Sequence, residues 1–282
     1  LLLVTASILI VTLTVAGVSL TFSLASMKEQ SIELLQMQNN TVAESFQGSM
    51  DSYKEIVLGT IMDDSVQNYC RQVQRNALKT ADINAVYSKL ENLNNMYESL
   101  NFAAIVSSDY ESYYYRGKGS LSVTQFEEVY PQAYDKSKYA QKGTLKVSYN
   151  NDYYKGNRYT LSLYYPLYDT RKVSDAQGLL CMNFDDPAVQ RMLAVGNSSA
   201  ETRVVDTGGM VLLSKDKEET GRYVNYIDEM ENGIQIFTKN GNMYVCQKIK
   251  NWNYYVVSSI SSYKLMESGF RTIVVVIIVL II

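Results

Sequence analysis

The sequence predicts an α+β fold, in which a long N-terminal helix precedes two lobes built on antiparallel sheets. Between residues 27 and 62, apolar side chains recur every three, four or seven residues, which places them on one face of a helix. After Asn101, short strand-like runs replace this pattern, and Gly208-Gly209 and Asn240-Gly241 are typical hairpin turns. The apolar face of the helix consists of Leu35, Val42, Phe46, Met50, Tyr53, Val57 and Ile61.

The remaining elements follow from local patterns of the same kind. Helical patterns cover Asp64–Leu78 and Ile83–Leu100, and Asp82 is the predicted N-cap of the second of these helices. Further helices are predicted at 123–139, after Asp186-Pro187, and at 261–270. Strands are predicted at 102–106, 112–116, 144–149, 159–167 and 178–184 in the first lobe, and at 202–206, 210–213, 233–238, 242–249 and 254–260 in the second.

Composition excludes several kinds of chemistry. The 282 residues include no histidine, so the chain has no Ser-His-Asp or Cys-His nucleophile system and no histidine-ligated zinc. The formal net charge of −3 gives no basic surface for nucleic acid. There is no P-loop or GxGxxG motif, and nothing singles out paired carboxylates. We therefore predict a non-enzymatic region without cofactor, metal or nucleic-acid partner.

The two ends of the chain are strongly apolar. Residues 1–26 carry no charge and reach about 39 Å as a helix, more than the ~30 Å hydrocarbon core of a bilayer. We expect a membrane span there, and a cleaved signal peptide is the alternative. The apolar run Ile273–Ile282 is expected to be the first half of a second span. The predicted location is the cell membrane, multi-pass, with residues about 27–270 extracytoplasmic.

Three cysteines leave the redox state open. Cys70, Cys181 and Cys246 are widely spaced and match no metal-binding pattern. They allow at most one intrachain disulfide, with three possible pairings, or three buried free thiols.

Tyrosines are concentrated in the region where the predicted first sheet lies. Fourteen of the 24 tyrosines fall between Tyr110 and Tyr168, and tyrosine offers both a rigid ring and a hydroxyl to a ligand. Alternatively, these residues simply pack a β-rich core or cover an exposed sheet. We take the candidate ligand-binding residues to be Tyr113, Tyr115, Arg116, Tyr130, Tyr134, Tyr139, Tyr149, Tyr164, Asp169 and Asp185.

The charged candidates have specific expected roles. Arg116 would bind an anionic ligand group, or it would be solvated at a strand end. By the two-residue period of a strand, Tyr113 and Tyr115 face one side of the sheet, whereas Arg116 faces the other side. Asp169 and Asp185 end adjacent predicted strands and would converge on a polar ligand group, or each would cap a turn or helix.

The order of elements resembles the double Cache sensor domain of bacterial transmembrane receptors. Four segments carry this resemblance: Tyr165–Asp169 (YPLYD), Gly178–Asp185 (GLLCMNFD), Val204–Leu212 (VVDTGGMVL) and Trp252–Ser258 (WNYYVVS). The resemblance implies a membrane span at 1–26, a long helix and helical entry at 27–100, a membrane-distal PAS-like lobe at 101–195, a membrane-proximal PAS-like lobe at 196–261, and an exit helix with the start of a second span at 262–282.

The resemblance also implies a function. A small molecule would bind in the distal lobe, and a helix displacement would reach a cytoplasmic output in a homodimer. That output would be a histidine kinase of a two-component system, an AraC-type regulator or a chemoreceptor. In the amino-acid-binding subgroup, an Arg and aromatic residues in the segment that crosses the distal sheet hold the carboxylate, and an acid holds the amine. Here that segment, residues 121–142, has tyrosines but no Arg or Trp, which argues against the amino-acid pattern.

Two other readings stay open. A periplasmic or surface protein would replace the small molecule as the partner of the distal lobe. Alternatively, the chain would be a cell-surface adhesion protein that holds a polysaccharide or partner protein on its tyrosine-rich face.

Overall fold

Two compact units make up the fold in the computed structural model. It describes residues 2–107, 113–117, 146–149, 160–171, 176–185, 193, 200–219, 221–224 and 233–264. Lobe A comprises Ser45–Arg191 with Asp216–Gly221, and lobe B comprises Leu1–Glu44, Met192–Lys215 and Arg222–Ile282.

Helix α1, Leu2–Ile61, contributes residues to both lobes. All seven side chains of its predicted apolar face are buried, which confirms the helical periodicity of this segment. The helix ends where Asp63 begins the cap of α2, Asp64–Gln74. There the Asp63 carboxylate accepts a hydrogen bond of 3.0 Å from the Ser65 amide, which satisfies one of the unpaired amides at the start of a helix.

Helix α3, Thr80–Met96, begins earlier than the sequence suggested. Asp82 is its third residue, so the prediction that Asp82 is the N-cap is wrong. From that position the Asp82 carboxylate reaches back and accepts a hydrogen bond of 3.0 Å from the Lys79 amide. The acidic residue therefore still stabilises the helix start, as in the second half of a capping box.

The sheet of lobe A has five antiparallel strands in the order β2-β1-β5-β4-β3. Its central strands are buried along their length, so they read as nearly continuous apolar runs rather than as alternating patterns. The strands are β1, Leu100–Ser107; β2, Tyr113–Gly117; β3, Lys146–Tyr149; β4, Thr160–Leu167; and β5, Gly178–Asp185.

The sheet of lobe B has the corresponding order, β7-β6-β10-β9-β8, and is also antiparallel. Leu35 of α1 packs on one of its faces, against Met243, Val245 and Ile260. The strands are β6, Ala200–Asp206; β7, Val211–Ser214; β8, Ile234–Lys239; β9, Asn242–Lys248; and β10, Tyr254–Ser261, with a 3-10 turn at Lys217–Glu219.

The predicted fold class is confirmed: the chain is α+β, with a long N-terminal helix and two antiparallel sheets. The helices predicted at 123–139 and after Asp186-Pro187 lie outside the described residues, and of the exit helix only residues 262–264 are described, as helical.

The two membrane spans stay predictions. Residues 2–26 form the first part of α1, and the C-terminal apolar run lies outside the described residues. In the part of the chain that the structure describes, no helix combines the length and the hydropathy needed for a membrane crossing.

Candidate functional site

The sheet of lobe A has two chemically different faces. On one of them, the Phe184 ring stacks on Tyr53 of α1, with ring centroids 4.1 Å apart. On the same face, Tyr114 makes edge-to-face contacts with Tyr69 of α2 and Tyr87 of α3, each at 5.7 Å. We call this the helix face. The opposite face, which we call the far face, carries the residues that alternate with these along each strand.

The strand register defines the far face. Across β2, β1, β5 and β4, one row contains Tyr115, Ala104, Cys181 and Tyr164 at paired positions. The adjacent row contains Gly117, Phe102, Asn183 and Ser162. Gly117 and Tyr115 are partly exposed, and the other residues of these two rows are buried. They are buried even though α1, α2 and α3 pack on the opposite, helix face.

An aromatic pair forms the β2 side of the far face. The rings of Tyr115 and Phe102 lie 5.7 Å apart at a tilt of 46°. Gly117 makes this arrangement possible, since a Cβ at that position would lie 2.7 Å from the Phe102 Cβ and would also meet the Tyr115 hydroxyl group. A glycine here therefore positions the tyrosine ring.

A chain of neutral polar side chains crosses the middle of the far face. Asn101 Nδ2 donates to Asn183 Oδ1 at 3.0 Å, and Asn183 Nδ2 donates to Ser162 Oγ at 2.8 Å. Asn101 occupies an irregularity in the β1–β5 register, which brings its amide into line with the other two residues. Asn183 and Ser162 are fully buried. This chain gives the largely apolar central strands of the sheet a line of hydrogen-bonding groups.

Tyr164 and Cys181 lie next to that polar chain. Both side chains are fully buried, and they hydrogen-bond to each other across β4 and β5. Burial raises the pKa of the Cys181 thiol well above its ordinary value, and the hydrogen bond with Tyr164 opposes that shift only in part. The thiol is therefore neutral and serves as a polar contact rather than as a nucleophile.

Arg116 lies on the helix face, away from Tyr115. Its guanidinium carbon lies 4.0 Å from the centroid of the Tyr87 ring, and its Nε lies 3.8 Å from a Glu91 carboxylate oxygen. The Asn94 side chain donates to the Arg116 carbonyl at 2.8 Å. In this structure the arginine thus joins β2 to α3 through a cation–π contact and an ion pair.

The two acidic candidates are not brought together. Because β4 and β5 are antiparallel, Leu167 pairs with Gly178 at one end and Thr160 pairs with Asp185 at the other. Asp169 follows the first end, so the two acids are separated by about 25 Å of strand. Asp169 is buried and accepts a hydrogen bond of 3.0 Å from the Arg171 amide, which is the geometry of an Asx turn. The convergence expected of these two residues is therefore wrong.

The other predicted site residues are only partly described. Tyr113 and Tyr149 belong to β2 and β3, with their backbones described, and Tyr130, Tyr134 and Tyr139 lie outside the described residues. The far face thus includes Tyr115 and Tyr164 from the predicted set, in the same row but with β1 and β5 between them. It adds Asn101, Asn183 and Ser162, which were not predicted. The available signal was a single polar residue inside each apolar strand.

Comparison with known proteins shows the fold. A search of family models and of curated protein sequences finds no match. The ligand-binding domain of the Pseudomonas aeruginosa PAO1 amino acid chemoreceptor PctC, solved with GABA, is similar over 82% of this chain and 100% of that chain, with a TM-score of 0.58 and 11% identity.

Two further solved structures agree with this result. The ligand-binding domain of the Pseudomonas fluorescens chemoreceptor CtaA, solved with L-serine, is similar over 83% of this chain and 98% of that chain, with a TM-score of 0.57 and 14% identity. The extracellular domain of a histidine kinase candidate, vpHK1S-Z8, covers 86% of this chain and 98% of that chain, with a TM-score of 0.52 and 11% identity. The fold expected from the sequence is confirmed: this chain has the fold of these chemoreceptor ligand-binding domains and of this histidine kinase extracellular domain.

Proposed function

We propose that this chain is the extracytoplasmic ligand-sensing region of a membrane receptor, which binds a small molecule on the far face of lobe A. The observation that carries the proposal is the buried polar chain from Asn101 to Ser162, on a sheet whose other face is filled by helices. Polar groups placed among aromatic side chains are typical of small-molecule sites. The similarity to the ligand-binding domains of chemoreceptors supports this proposal.

The chemistry of the described groups suits binding better than catalysis. Tyr115 and Phe102 offer ring surface, and the side chains of Asn183 and Ser162 offer hydrogen bonds. The Cys181 thiol is protonated, since burial raises its pKa. We therefore propose a region that recognises its ligand without transforming it. PctC and CtaA were solved with GABA and L-serine, so small amino acids are the first ligands to test.

Helix α1 is the proposed route of the signal. Its residues up to Glu44 belong to lobe B and those from Ser45 onward belong to lobe A, so one continuous helix contributes to both units. A ligand that binds one arrangement of the lobe A sheet more tightly than the other would displace this helix. The free energy available for the displacement is the difference between the binding free energies for the two arrangements. In a membrane-anchored homodimer, that displacement would reach a histidine kinase, an AraC-type regulator or a chemoreceptor output.

Thermal unfolding of the chain in the presence of single compounds tests this function. The panel contains the standard amino acids, GABA, acetate, lactate, glucose and ribose. A ligand present at one hundred times its Kd stabilises a protein by about 2.7 kcal/mol, which raises the Tm by roughly 5–10 °C for a domain of this size. We expect such a shift for one chemical class in the panel. If no compound in the panel raises the Tm, the proposal is overturned.

A further inference from the structure

We propose that the Ser162 hydroxyl group donates a hydrogen bond to an oxygen of the bound ligand and is a specificity-determining contact of the far face. This inference rests on the function proposed above and assigns its ligand an acceptor oxygen at a defined place on β4. It follows from the hydrogen-bonding capacity that remains along the polar chain.

The direction of each hydrogen bond along the chain is fixed by chemistry. An amide nitrogen only donates, so Asn101 donates to Asn183 and Asn183 donates to Ser162. The Ser162 oxygen is therefore used as an acceptor, and its hydroxyl hydrogen still has to find an acceptor of its own. Among the described residues, no side chain or carbonyl group accepts that hydrogen.

Spare capacity also remains on the neighbouring amide. Asn183 Nδ2 carries two hydrogens. One of them is donated to Ser162, and among the described contacts the other has no acceptor. Both residues are fully buried, where a polar hydrogen without an acceptor is unfavourable. Among the described residues, two adjacent donors, one hydroxyl and one amide, thus lack an acceptor in the middle of the far face.

These two donors select the ligand chemistry. A carboxylate, carbonyl or hydroxyl oxygen carries two lone pairs and accepts from both donors at once. The chain of hydrogen bonds that begins at Asn101 polarises the Ser162 hydroxyl and makes it a stronger donor. Tyr164, two residues along the same strand and also fully buried, places an aromatic ring beside the acceptor position. The inferred ligand is a small molecule with an acceptor oxygen next to an apolar or aromatic part.

The test compares Ser162→Ala with the parent chain by calorimetric titration of every compound in the panel that raises the parent Tm. We expect Ser162→Ala to weaken binding of the responding compound by about 10-fold or more. Ser88→Ala is the matched control, since Ser88 is exposed and donates to the Asn84 carbonyl within α3. Circular dichroism of each variant checks folding. Ser162→Cys, with a weak donor of similar size, replaces the alanine variant if that variant does not fold.

The outcomes separate this inference from the proposed function. Loss of affinity for acetate or GABA, whose only oxygen atoms belong to a carboxylate, identifies a carboxylate as the acceptor, and loss for glucose or ribose identifies a sugar oxygen; either supports the inference. If Ser162→Ala, or Ser162→Cys where it replaces the alanine variant, binds the responding compound as the parent does, the inference is overturned while the proposed function stands. If no panel compound raises the parent Tm, both are overturned.

Discussion

In lobe B, the Ser258 hydroxyl group of β10 donates a hydrogen bond of 2.6 Å to Asn39 of helix α1. Asn39 also donates to the Val245 carbonyl at 2.8 Å. Since Ser258 has one hydroxyl hydrogen, its 2.7 Å contact with Thr202 must be donated by Thr202, which in turn accepts from Gln38 at 2.8 Å. These bonds fix α1 against the sheet, because moving the helix by one turn, about 5.4 Å, would break them all.

Replacing Asn39 with alanine is expected to destabilise lobe B. The substitution leaves the Val245 carbonyl and the Ser258 hydroxyl buried without their partner, which costs about 2–3 kcal/mol. Urea denaturation of the chain, followed by circular dichroism, measures the change. The control is Thr41→Ala on the same helix, where an exposed hydroxyl donates only to the Met37 carbonyl within the helix. Equal midpoints for the two variants would show that the Asn39 hydrogen bonds do not stabilise the lobe.

Gln67 of α2 has a comparable role within lobe A. Its Nε2 donates to the carbonyl groups of Ile61 and Tyr168, and its Oε1 accepts from the amide and hydroxyl groups of Thr170. One buried side chain thus joins the end of α1 to the segment that follows β4.

The substitution Gln67→Glu tests that junction with little change in shape. It keeps the acceptor for Thr170 but places a carboxylate oxygen against two carbonyl oxygens, so we expect a loss of about 2–4 kcal/mol at neutral pH. The measurement is the shift of the urea midpoint. Gln72→Glu on the same helix is the control, since among the described residues the Gln72 side chain makes a single long contact, of 3.4 Å, with Asn68. A junction that is unimportant would give both variants the parent midpoint.

The structure also shows which features could be read from the sequence. The apolar face of α1 and the ten strands among the described residues could be predicted because each follows from a local period or from turn residues such as Asn240 and Gly241, both of which have positive φ. The partners of Arg116 could not be predicted from the sequence, because Tyr87 and Glu91 contact it only through the tertiary packing of α3. The prediction for Asp169 and Asp185 was wrong because antiparallel pairing places the C-terminal ends of the neighbouring strands β4 and β5 at opposite ends of the strand pair.

Asp63 is expected to make stability depend on pH. Burial alone would raise the pKa of its carboxyl group, but hydrogen bonds from Lys89 and from the Ser65 hydroxyl and amide groups outweigh that effect and hold the pKa below its usual value. Lys89 Nζ lies 2.7 Å from the carboxylate. The folded state therefore favours the ionised form. This stabilisation is present above the unfolded pKa of about 3.9 and is lost as the pH falls through the lower folded pKa.

The substitution Asp63→Asn isolates the charge, because asparagine still caps α2. At pH 7 we expect it to lower stability by less than about 1 kcal/mol, since the ion pair is partly exposed. The difference from the parent should shrink as the pH is lowered below about 4. Urea midpoints at a series of pH values measure it, with Asp64→Asn, next to Asp63 in α2, as the control. A difference that stays constant down to the most acidic pH would contradict the proposed role of the Asp63 charge.

The three cysteines are expected to be unreactive thiols in the native protein. Cys70, Cys181 and Cys246 are all free and buried. Burial, with a smaller contribution from the nearby Asp169 charge, raises the pKa of Cys70 to about 12, and burial also raises the pKa of Cys181. Because the three thiols are buried, an aromatic disulfide reagent at pH 8 should release no chromophore from the native protein. After denaturant is added, it should release three equivalents. Cys70→Ser and Cys246→Ser should each lower that number by one. Only one equivalent after denaturation of the parent would reveal a disulfide, and rapid release before denaturation would reveal an exposed thiol.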